Sequence, residues 1–171
     1  MGRFWDKYTG TRHPGSDMAP LPAAELRSAL LALNGPDVPY VVRDAPSKEK
    51  ADLVAEWRIE EPAWHTFFAR SRLDRQFRIR MRLVPGRHEV RTLDQQWEVT
   101  WVGDTPRIAT SAEYGHGAMT TVSKQWTYER GPDGRRRMVE TFGFDSREMK
   151  NPLRDTVLGA GWVWRGAVFS L

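Results

Sequence analysis

Three arginines alternate with apolar residues along Phe77-Arg78-Ile79-Arg80-Met81-Arg82-Leu83. In an extended strand, side chains two apart share a face at intervals of about 7 Å. Such a row of guanidinium groups suits carboxylates, phosphates or anionic lipid head groups. Arg87 follows at the next turn. Between Arg70 and Arg91 lie eight arginines against Asp74 and Glu89, in a chain whose net charge is +4, so the basicity is local. The candidate binding set is therefore Arg78, Arg80, Arg82 and Arg87, facing an acidic protein or an anionic lipid surface. The alternative is a solvated strand face, neutralised in part by Glu98, Glu89 or Glu140 on neighbouring strands. Nucleic acid ranks lower. Single strands want aromatics on the cationic face, and here Phe77 and its apolar neighbours take the opposite parity. Arginine dominates lysine throughout, 21 to 5. The fork geometry of arginine favours carboxylate and phosphate, although a GC-rich genome produces the same bias.

A second constellation is Glu113-Tyr114-Gly115-His116-Gly117. Glu113 and His116 offer acid–base chemistry, and the flanking glycines let backbone approach a ligand. Glu113, Tyr114 and His116 thus form an alternative pocket for a small-molecule binder or enzyme. The plainer reading is a loop in which glycine permits positive φ. Other chemistries find little support. The histidines, 13, 65, 88 and 116, have no i,i+4 pair, and no cysteine is present, so no metal or cofactor is expected. No G-x-S-x-G or phosphate-binding glycine loop occurs. A non-enzymatic binding protein is the leading expectation.

The elements that would position these residues read clearly in places. The Phe77–Leu83 alternation is a half-buried strand. Pro85-Gly86 is turn chemistry, with Gly supplying positive φ. Trp97, Val99 and Trp101 resume the alternation. Val90 and Leu93 have opposite parity, which predicts a bulge or tight turn at Asp94-Gln95. Upstream, Leu26, Leu30 and Leu33 mark a helix closed by Asn34-Gly35-Pro36. Tyr40–Arg43 and Ala51–Ile59 read as strands, and Pro62 opens a short helix carrying Trp64, Phe67 and Phe68. Downstream, Arg107–Tyr114, Thr120–Arg130 and Arg135–Phe144 read as strands, the last two joined by Gly131-Pro132-Asp133-Gly134. Met149, Leu153, Val157 and Ala160 lie at helical spacing, with Asn151-Pro152 a candidate restart. The apolar run from Trp162 to Phe169 predicts a strand buried on both faces.

These elements predict an α+β fold: a largely antiparallel, strongly curved or barrel-like sheet with two to three helices. Residues 1–20 read as an irregular arm and 21–171 as one α+β domain. The aromatics Phe4, Trp5 and Tyr8 dock either on their own domain or on a partner. No apolar stretch is long enough to span a bilayer, and Met1–Pro20 lacks the apolar core of a secretory signal. With the absence of cysteine, this predicts a cytoplasmic location.

Trp97-Glu98-Val99-Thr100-Trp101, Met149-Lys150-Asn151-Pro152-Leu153-Arg154 and Gly159-Ala160-Gly161-Trp162-Val163-Trp164-Arg165-Gly166 resemble a group of small soluble proteins from high-GC bacteria. Tyr40-Val41-Val42 and Ala51–Trp57 extend the resemblance over roughly residues 21–171. It implies a bacterial protein and brings no activity or site residue. More distantly, many strands followed by a late helix and an apolar terminal strand resemble the tubby and scramblase-type barrel. That family implies a curved sheet around a helix and membrane-lipid recognition. Arg147, Lys150, Arg154 and Asp155 on the late helix depart from it.

Overall fold

A computed structural model describes residues 2–71, 73–109, 113–114, 122–130, 136–167 and 171, with side chains for all of these except 2–4, 113–114 and 122–145. The described elements are α1 (Gly2–Thr9), α2 (Ala23–Leu31), β1 (Tyr40–Asp44), β2 (Leu53–Trp57), α3 (His65–Ser71), β3 (Arg75–Val84) and β4 (Glu89–Val102). They continue with β5 (Thr105–Ile108), β6 (Glu113–Tyr114), β7 (Val122–Arg130), β8 (Arg136–Asp145), α4 (Arg147–Gly159) and β9 (Val163–Gly166). The fold is α+β. Strands β1-β2-β3-β4-β5 form a curled antiparallel half-barrel, and β6 and β9 also pair with β4. Strand β9 is parallel to β4, the one parallel pairing among the described strands. A separate ribbon, β7–β8, is antiparallel with a register irregularity at Gln125/Trp126. The predicted hairpin loop at Gly131–Gly134 lies outside the described residues.

The alternation in β3 decides the layering. Phe77, Ile79 and Met81 are fully buried and face a core shared with Leu26 and Leu30 of α2, Phe68 of α3, and Met149, Leu153 and Val157 of α4. The arginines between them point to the other face. Strand β2 follows the same rule, with Leu53, Ala55 and Trp57 in the core and Glu56 opposite Arg78. The Asn34 side chain ties α2 to β1. Its Nδ2 donates to the Val42 carbonyl and its Oδ1 accepts from the Val42 N–H, both at 2.7 Å.

Several expectations are corrected. The N-terminal stretch is not irregular throughout: Gly2–Thr9 forms α1, which brings the helices to four. Beyond α1 the chain lies along β9, where Arg12 and Trp164 exchange backbone hydrogen bonds at 2.8 and 2.9 Å. Trp5 and Tyr8 remain exposed, edge to face at 6.0 Å. No bulge interrupts β4. It pairs with β3 without a shift from Glu89 to Glu98. Parity misleads there because the strand is buried on both faces, with Val90, Thr92 and Asp94 on one side and Glu89, Leu93 and Gln95 on the other. At the β3–β4 turn, Pro85–Arg87 makes one 3-10 turn and the left-handed residue is His88, at φ 46°, rather than Gly86. Asn151-Pro152 does not restart the last helix. Helix α4 runs through Pro152, held by its buried Met149, Leu153 and Val157. The terminal strand is shorter than its apolar run, and within it only Trp164 is buried.

Candidate functional site

The cationic face is built from three strands. Direct cross-strand neighbours share a face, and β3 sets Arg78, Arg80 and Arg82 opposite Gln95, Leu93 and Arg91 of β4. Strand β9 then places Arg165 beside Arg91.

Within β3 the three arginines have different fates. Arg78 donates to Glu56 at 2.7 Å, lies 4.0 Å from Glu49, and covers the Trp97 ring at 4.6 Å. Glu56 also accepts from Arg43 at 2.9 Å, and Arg43 reaches Glu49 at 3.2 Å. Two guanidinium groups and two carboxylates therefore balance one another in a partly buried cluster. Burial opposes charge on Arg43, but its hydrogen bonds to Glu56 and Glu49 prevail and hold its pKa above the usual value. The Arg80 guanidinium donates to the Glu49 carbonyl, and its Nε is buried without a hydrogen-bond partner among the described residues. Arg78 and Arg80 thus serve as a cover over the sheet, where Val54 and Leu93 are buried on their side. Their aliphatic stems supply apolar surface, while the Arg78 head pairs with Glu56 and an Arg80 terminal amino group with the Glu49 carbonyl. Arg82 is exposed, as is Arg87 in the turn.

The uncompensated charge runs across the strands instead. Arg82, Arg91 and Arg165 stand side by side on β3, β4 and β9, at a spacing of about 4.8 Å set by the sheet. Among the described residues the ion pairs of this row go to one carboxylate, while Asp52 lies beside Arg82 and accepts from the Leu83 N–H at 2.8 Å. Glu89, 3% exposed, accepts from Arg91 Nε at 2.9 Å and from Arg165 Nε at 2.6 Å. Burial pushes the Glu89 carboxyl up, but the hydrogen bonds from Arg165 and then Arg91 outweigh it and leave its pKa below the usual range. Both arginines bind Glu89 through Nε, and each remains more than a third exposed. Among the described residues, their outer amino groups make no hydrogen bond.

Glu89 was one of the acids named from sequence as a neutraliser. It sits on the expected face but serves Arg91 and Arg165 rather than the β3 row. Arg165 escapes sequence reasoning altogether. A lone charge in an apolar terminal run carries no signal until β9 is paired with β4. The alternative constellation is described only in part. Glu113 and Tyr114 form β6, in register with Gln96 and Gln95 of β4. Their side chains and His116 lie outside the described residues.

Among the described residues no group of three His, Asp or Glu is arranged to hold a metal. His13 pairs with Asp6 at 2.8 Å, and His88 packs edge-on against Trp162 at 5.5 Å. No described helix is long and apolar enough to cross a membrane. Compared with family models, curated proteins and solved structures, the chain shows no match.

Proposed function

We propose that this chain is a non-enzymatic binding protein whose arginine-bearing sheet face engages an extended acidic segment of a protein partner. One observation carries the reading: three guanidinium groups stand in adjacent register with, among the described residues, one buried carboxylate between them. Like charges directly opposite one another cost roughly 0.2–1 kcal/mol per pair, and an external anion relieves that cost. Arg82, Arg91 and Arg165 supply the contact, Arg87 its rim, and Arg78 and Arg80 the rigid cover beside it.

An extended peptide suits the shape. The outer face of a curled sheet is convex, so a planar membrane meets it over few residues. A strand-like segment can follow the curve, and its alternate carboxylates repeat at about 7 Å. Nucleic acid is disfavoured because Trp97, the aromatic of this face, is covered by Arg78.

The test is anisotropy of a labelled glutamate-rich peptide, titrated at two salt concentrations. Binding should weaken with salt and fall about tenfold or more in Arg82→Glu/Arg87→Glu. Both side chains are exposed, so the fold is retained. Equal binding by that variant, or a preference for phosphatidylserine vesicles or a single-stranded oligonucleotide over the peptide, overturns the reading.

A further inference from the structure

On the other side of the sheet, a cavity of about 130 Å³ opens between the end of α1, β4, β9 and the first turns of α4. Helix α4 divides its faces strictly. Met149, Leu153 and Val157 enter the core, while Arg147, Lys150, Asn151 and Arg154, at i, i+3, i+4 and i+7, line the cavity. Arg12 joins them from the N-terminal segment. Among the described residues of the lining the carboxylate is Asp94, and it is ion-paired to Lys150. The pair is close to fully buried, with side chains 12% and 8% exposed.

Two of the arginines stay open to a ligand: Arg12 is exposed, and the Arg154 side chain is 28% exposed. Among the described residues Arg154 pairs only with Asp155, itself largely exposed, at 3.6 Å. The Arg12 side chain makes no ion pair among the described residues. Two elements, the N-terminal segment and α4, bring these side chains to one cavity, whose floor is the Asp94–Lys150 ion pair. The first turn of α4 adds the positive end of its helix dipole.

We propose that this cavity binds a small phosphate monoester, with Arg12 and Arg154 holding the phosphoryl oxygens and Lys150 anchored behind them by Asp94. The charge selects the class. Asp94 takes up Lys150, and the two guanidinium groups of Arg12 and Arg154 match a phosphate monoester, which carries about −1.5 to −2 at neutral pH and offers three strong acceptor oxygens. Arginine forks match such oxygens two at a time. The size selects the ligand's extent. Whole-ligand pockets usually measure about 300–1,000 Å³, so this cavity encloses the phosphoryl group and leaves the remainder of a small molecule at its mouth. The site is separate from the arginine face and does not depend on it.

The full chain should be titrated calorimetrically with inorganic phosphate and with glycerol 3-phosphate, against sodium chloride at matched ionic strength. Saturable binding of both phosphates, tighter for the ester and absent with chloride, is expected. Arg154→Gln and Arg12→Gln should each weaken it by about tenfold, the loss of one charged hydrogen bond, and Arg82→Gln should leave it unchanged. Amide chemical shifts of Gly10 and Asn151 in the unaltered protein give a readout independent of any variant's folding, and both should move with the ester. Three results overturn the proposal: heats no larger than those of chloride, unchanged affinity in both cavity variants, or citrate and acetate binding as tightly as the ester. Loss of binding in Arg82→Gln alone would move the phosphate to the outer face and equally overturn it.

Discussion

Glu89 shows how much one side chain can hold. It is a buried carboxylate between Arg91 and Arg165, and its position decides whether β4 and β9 can lie side by side with their arginines in register. Its pKa is lowered on folding, so it stabilises the fold fully above the unfolded carboxylate value of about 4.3, and that contribution is lost as pH falls toward the folded value. Glu89→Gln should therefore cost about 2 kcal/mol at pH 7, where charged hydrogen bonds are lost, and less at pH 3. Urea unfolding at both pH values measures the difference. An equal loss at the two pH values would mean that packing, and not charge, gives Glu89 its role. The alternation around Arg78 and Arg80 was legible in sequence because period two is a local property. Their neutralisers were not. Glu56 lies 22 residues from Arg78 in sequence, and only the β2–β3 register brings it opposite.

At the scale of elements, β4 and β9 carry the lesson. Amphipathic strands and helices announce their burial by period, and α2, β2, β3 and the core face of α4 do so. Strand β4 is a central strand covered on both sides, so its apolar and polar residues lose their parity and suggest a bulge that does not exist. Strand β9 depends on close backbone approach. A Cβ on Gly166 would run into the Thr9 carbonyl oxygen, and one on Gly161, at φ 77°, would lie 2.8 Å from the Ala19 carbonyl oxygen. These glycines let the N-terminal segment lie flat on the end of the fold. Gly166→Ala should push that segment away from β9 while leaving β1–β4 intact. Hydrogen exchange reads this directly: the Arg12 and Trp164 amides, which bond across that junction, should exchange faster, and the Ile79 and Met81 amides should not. Unchanged protection at Arg12 would show that the backbone adjusts around the added methyl group.

For the whole molecule, Trp162 and Trp164 join regions far apart in sequence. Trp162 donates its indole N–H to the Leu21 carbonyl at 2.8 Å and packs against His88 in the β3–β4 turn. Trp164 holds Arg12 by two backbone hydrogen bonds, and the Gly166 N–H donates to Thr11 Oγ1 at 3.1 Å. The N-terminal segment thus occupies the side of β9 that β4 leaves unpaired. An open strand edge is a template for pairing with another chain. Removing residues 1–12 takes away three hydrogen bonds worth about 1 kcal/mol each and bares that edge beside the Trp164 ring. The truncated chain should unfold at lower denaturant and associate with itself as concentration rises. Sedimentation velocity over a concentration series, with a urea titration alongside, measures both effects. The full chain still exposes Trp5 and Tyr8, so association caused by those rings would fall on truncation, whereas association through β9 would rise. A truncated chain that stays monomeric with an unchanged unfolding midpoint would mean that β4 alone keeps β9 in place and that the N-terminal segment merely rests on it.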